Sequence, residues 1–147
     1  MKMKNDTITA HNMLYNGGYT CVLCKGDKIY TSRERGVKPL IEFIESGIDF
    51  RKFSAADKVV GKAAAFLYVI LGVDAVYADV MSDAAIYTLA RHGVQPICDR
   101  STKFICNRDG TGLCPMEETV SEIESPKNAV VAIQNKLKML QERRYQT

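Results

Sequence analysis

A chain of 147 residues with 46% hydrophobic content is the size of a single domain and can bury a proper core. Its net charge of +3 arises from 20 Lys and Arg interleaved with 17 Asp and Glu, so nucleic-acid binding is not indicated. No segment approaches the roughly 20 apolar residues of a membrane span, and no apolar signal region follows the basic start Met1 to Asn5, so a cytoplasmic protein is expected.

Residues from about Asp6 to Asn16 read as a short helix stopped by Gly17-Gly18. Tyr19 to Cys24 and Lys28 to Ser32 alternate around Lys25-Gly26-Asp27 as a β-hairpin. Pro39 starts a short helix ending at Gly47. From about Ala55 to Leu71 the apolar positions Val59, Val60, Ala63, Ala64, Leu67, Ile70 and Leu71 predict a broad-faced central helix, closed by Gly72. Ala75 to Val80 has the largely apolar character of a strand covered on both faces.

Ser82 should cap a helix through Arg91, ended by Gly93, with His92 complementing the negative end of its dipole. Val94 to Cys98 is a further strand, which Pro96 assigns to an edge or bulge. Lys103 to Cys106 is a short strand candidate, followed by a helix from Pro115 to about Ile123 and a last helix opening at Ser125-Pro126. This order predicts an α/β protein, a three-layer α/β/α sandwich around a mixed sheet. A single domain over 1–147 is expected, with a C-terminal helical extension from about residue 115.

The five cysteines, without a secretion signal, fit reduced thiols. Cys21 and Cys24 have the spacing of a redox or metal pair, but in a strand residues three apart point to opposite faces. Cys98, Cys106 and Cys114 follow each other at intervals of eight, which is no zinc-finger spacing. The run Asn107-Arg108-Asp109-Gly110-Thr111-Gly112-Leu113-Cys114-Pro115-Met116-Glu117 is polar, Gly-rich and placed before a helix start, where backbone N–H groups can converge on an anion.

That run, together with Arg33 to Leu40 and Ala56 to Ala65, resembles the domain-of-unknown-function family 1893, over most of the chain. The resemblance implies the fold of the cytidine deaminase-like superfamily, a mixed sheet between helices, but no established activity. The zinc deaminases carry a His or Cys two residues before a Glu at one helix start, and a Pro-Cys-x-x-Cys run at the next. The expected helix starts here, Ala55 to Lys58 and Met81 to Ala85, contain neither thiol nor imidazole. No metal and no cofactor are therefore expected.

Asp57, Lys58 and Lys62 then stand at the start of a helix facing the superfamily's cleft, with Lys58 and Lys62 one turn apart and able to hold a phosphate or carboxylate. Arg33, Arg35 and Lys38 surround Gly36 in a strand-to-helix turn suited to an anion. Asn107, Arg108 and Asp109 would supply polar side chains, Gly110 and Gly112 backbone donors, and Glu117 either a contact or a capping-box carboxylate. Cys114 would be an N-cap thiol, with its pKa open to lowering by the helix dipole. Tyr68, Tyr77 and Tyr87 read as core or rim aromatics, and the basic residues of the last helix as a solvated face.

The reading that results is a binding domain for a small anionic or nucleotide-like ligand, without zinc. The ligand-binding set is Arg35, Asp57, Lys58, Lys62, Asn107, Arg108, Asp109, Gly110, Gly112 and Glu117. Two alternatives stand beside it: a thiol enzyme with Cys114 as nucleophile, and an interaction or scaffold protein, a possible homo-oligomer.

Overall fold

The computed structural model of the chain describes residues 3–107 and 109–146. Helix α1 (Asn5–Gly17) leads into the hairpin β1 (Cys21–Lys25) and β2 (Lys28–Ser32), followed by α2 (Lys38–Glu45). Then come β3 (Ser54–Val60), α3 (Lys62–Leu71), β4 (Ala75–Ser82), α4 (Asp83–Arg91) and β5 (Gln95–Thr102). Helices α5 (Pro115–Val120) and α6 (Pro126–Gln146) complete the order.

The five strands form one mixed sheet in the order β2-β1-β3-β4-β5. Strand β1 is antiparallel to both β2 and β3, while β3, β4 and β5 run parallel. One face is packed by α1, through Ala10 and Leu14 against Val22, Cys24, Ala56 and Tyr77. The larger core lies on the other face, where Cys21, Leu23, Ala55, Val76 and Ala78 meet Leu40 of α2, Leu67 of α3, Leu89 of α4 and Ile133 of α6. Cys21 and Cys24 thus belong to different cores, as strand alternation requires.

One element differs in kind from its expectation. Residues Ser54–Val60, expected as the first turns of a long helix, are the central strand, and the helix begins only at Lys62. Small apolar residues such as Ala55 and Ala56 favour a helix in isolation, but here they pair with β1 on one side and β4 on the other. Tertiary pairing overrides local propensity. Asp57 and Lys58 therefore lie within a strand, where its pairing with β1 gives out, and Lys58 and Lys62 share no helical face.

Helix α3 is buried at Ala63, Ala64, Ala65, Phe66, Leu67, Tyr68 and Leu71, because the sheet, α2, α4, α5 and α6 surround it. An apolar surround of this kind explains the unusually broad stripe in its sequence. Other departures are of extent, except at Lys103 to Cys106. Strand β5, an edge strand as Pro96 suggested, continues to Thr102, and α5 stops at Val120. Lys103 to Cys106 forms no strand; only an isolated bridge joins Cys106 to Leu113. Ser82 caps α4 as expected, its Oγ accepting from Ala85 N at 3.0 Å. Among the described residues no helix is long and apolar enough to cross a membrane.

Candidate functional site

Where β3 ends, its neighbour β1 begins, because the two are antiparallel, and Asp57 pairs with Cys21 across them. The turn from β2 into α2, the first turn of α3 and the start of α5 close around this point. They enclose a cleft of about 680 Å³, lined among others by Cys21, Arg35, Asp57, Lys58, Cys114 and Glu117. That volume is in the usual range of small-molecule sites, ~300–1,000 Å³.

Most charges at the cleft are committed to internal partners. Glu34 pairs with Lys38 at 3.0 Å. The guanidinium of Arg33 lies 4.4 Å from the centre of the Tyr19 ring and donates to Gly17 O at 3.0 Å. Glu117 accepts from Lys62 N at 2.8 Å and from Ala63 N at 2.9 Å, closing the N-terminus of α3 with one oxygen on each donor. Arg35 and Lys58 are exposed and have no ion-pair partner among the described residues.

Asp57 is the carboxyl on the cleft floor. Tyr68 Oη donates to its Oδ2 at 2.7 Å, and Lys58 N donates to its Oδ1 at 2.7 Å. The backbone N–H of Val59 adds a further hydrogen bond. Burial nonetheless dominates and pushes the carboxyl up to about 7, with the nearby negative charge of Asp79 adding to the rise; the hydrogen bonds oppose it. No cation pairs with Asp57 among the described residues. Cys21 Sγ stands 3.4 Å from Tyr68 Oη. Its thiol is driven far up by burial and then by Asp57, so it is no thiolate nucleophile.

Of the residues singled out in the sequence, Arg35, Asp57, Lys58, Cys114 and Glu117 line this cleft. Lys62 does not: its ammonium turns toward α5 and α6, 3.2 Å from Ser121 O and 3.4 Å from Glu124 Oε1. Asn107, Asp109, Gly110 and Gly112 also lie off the cleft lining. Asn107 instead closes its own loop, accepting from Thr111 N at 3.0 Å and donating to Thr111 Oγ1 at 3.2 Å. Arg108 lies outside the described residues. Cys114 is the N-cap of α5, as expected, but its side chain makes no cap bond and no imidazole lines the cleft.

Three residues take roles that the sequence does not indicate. Tyr68 looked like one more core aromatic, since nothing in a sequence aims its hydroxyl at a residue on a neighbouring strand. Gly61 lacks the Cβ that would stand 2.3 Å from Glu117 Oε1, so glycine serves here for close approach. Glu117 caps a distant helix rather than its own. Among the described residues no group of three or more His, Cys, Asp and Glu converges as a metal site would.

A family model described as "TM1506: Domain of unknown function (DUF1893)" matches residues 9–137. Among solved structures, the chain is similar to a DUF1893 family protein (TM1506) from Thermotoga maritima, at 25% sequence identity and a TM-score of 0.84. The similarity covers 92% of each chain. No curated protein matches.

Proposed function

This chain belongs to the DUF1893 family, a family of unknown function, and from that premise we propose that its cleft binds a small anionic ligand, nucleotide-like in size. Arg35 and Lys58 attract the anion, and Asp57 meets the ligand at the floor. The observation that carries this is the pairing of charges: Glu34 pairs with Lys38 and Glu117 is held by the N-terminus of α3, whereas Arg35 and Lys58 at the mouth have no ion-pair partner among the described residues. Cations lining a concave wall concentrate anions there. The N-terminus of α3 contributes nothing to the ligand, because Glu117 already occupies it. The deaminase-like architecture is part of the same proposal, supported by a mixed sheet with helices on both faces and a cleft at a strand end.

Thermal-shift titration with sulfate, sugar phosphates and nucleoside monophosphates tests the reading, since a ligand held only by the folded state raises the melting temperature. Arg35→Ala and Lys58→Ala should each weaken binding by roughly threefold to tenfold, or ~0.7–1.4 kcal/mol. Absence of any shift with all of these anions in the unmodified protein defeats it.

A thiol function for Cys114 is the second reading, favoured by its place on the cleft wall. It requires Cys114 to alkylate faster than the more exposed Cys106 at neutral pH. Slower labelling of Cys114 removes it.

A further inference from the structure

Asp57 differs from the other acidic residues of the cleft in having neither a cation nor a helix N-terminus against it. Groups face it from every element packed around the strand end. From β1 comes the neutral thiol of Cys21, and from α3 the hydroxyl of Tyr68. Its own strand supplies the N–H of Lys58 and Val59, and the Lys58 side chain has no ion pair among the described residues. The β2–α2 turn brings Arg33, Glu34 and Arg35, and α5 brings Cys114 and Glu117. Asp79 of β4, itself hydrogen-bonded by Tyr15 of α1, adds negative potential. Both carboxyl oxygens are held in place, one by the fully buried side chain of Tyr68 and the other by its own backbone.

We propose that the cleft takes up its anion together with a proton on Asp57, and that Tyr68 is the positioning residue that holds this carboxyl at the floor. The inference rests on the reading of the cleft as an anion site. Ionised, Asp57 opposes the two mouth cations and repels an incoming anion. Protonated, it leaves their field uncancelled and presents an O–H donor to the ligand. The proton comes from solvent, so above the free midpoint of Asp57 the complex gains, with its anion, up to one proton relative to the free protein. By linkage, whatever the anion does to the proton affinity of Asp57, the proton does to the anion affinity. Tyr68 favours the ionised form, because its hydroxyl donates to Oδ2. It thereby keeps the carboxyl poised to change state, where burial alone would leave it protonated further up the pH scale.

The test uses the full chain labelled with 13C-aspartate, and inorganic sulfate as probe, whose charge is constant through the range. Carboxyl NMR should show Asp57 titrating near 7 in the free protein and at higher pH with sulfate present. Calorimetry at about pH 5.5 and about pH 8.5 should show sulfate affinity falling with pH, on the order of tenfold for each unit by which sulfate moves the midpoint. Asp57→Asn should bind sulfate with no pH dependence, and Tyr68→Phe should raise the free midpoint.

A midpoint near 4 in the unmodified protein overturns the proposal. So does sulfate binding of equal affinity at both pH values, which leaves the anion reading intact. An unmoved midpoint in a folded Tyr68→Phe overturns the role of Tyr68. Absence of sulfate binding at both pH values overturns the coupling, while nucleotide and sugar-phosphate titrations judge the anion reading separately.

Discussion

Glu117 reaches from α5 to the first two N–H groups of α3, and Gly61 is the residue that gives it room. A methyl group at position 61 would overlap the carboxylate, so Gly61→Ala should expel Glu117 and leave those donors without it. The expected cost is about 1–3 kcal/mol, read from chemical denaturation. Glu117→Gln keeps an acceptor but loses the charge at the helix start, and should cost less, about 1 kcal/mol. If the two residues act through one contact, the double variant will fall short of the sum of the singles. Asp57 gives a second residue-scale expectation. Its folded pKa, about 7, lies above the ordinary aspartate value of 3.8, so between the two the folded state holds a proton the unfolded chain has released. The associated stability is present below about pH 4 and is lost as pH rises toward 7. Asp57→Asn, which cannot ionise, should therefore be more stable than the unmodified protein at about pH 8, by on the order of 2 kcal/mol after allowance for the carboxyl's contact with the cleft. A lower melting temperature at that pH would contradict this. None of these pairings was legible in sequence: Glu117 and Gly61 are far apart along the chain, and the set that joins Lys62 with Glu117 pairs neither with the other.

Helix α4 and strand β3 show the two limits of reading elements from local pattern. For α4, cap and stop are written locally as Ser82 and Gly93, and the structure places Ser82 Oγ on Ala85 N. Ser82→Ala should cost about 1 kcal/mol, measurable as a lowered denaturation midpoint at unchanged slope. For β3, the alanines favour helix, whereas the two neighbouring strands decide the outcome. The error had a functional consequence, since it placed Asp57 and Lys58 on a helix with Lys62. As a strand, the same segment separates them: Asp57 and Lys58 line the cleft, and the Lys62 ammonium joins α5 and α6. The Asn107–Gly112 loop lies off the cleft lining. Its polarity and glycines signal an irregular backbone, but Asn107 satisfies that backbone from within.

Across the whole molecule, the sheet is covered unequally, by α1 on one face and by the other helices on the opposite one. Helix α6 belongs to this larger core, since Ala129 and Ile133 are fully buried and pack with α3. Ile133→Ala should cost about 2–5 kcal/mol and lower a single cooperative transition, as loss of a core side chain does. A change under 0.5 kcal/mol would show α6 to be an appendage. What the sequence determined by itself was the family, through the resemblance of three runs, and the α/β class and most element positions, because apolar period, caps and glycine stops are local properties. The tertiary structure decided which face of each element is buried and which charges remain unpartnered. Glu117 and Lys62 meet partners far along the chain, while Arg35 and Lys58 meet none among the described residues. That difference arises from distances in space, which spacing along a chain does not encode.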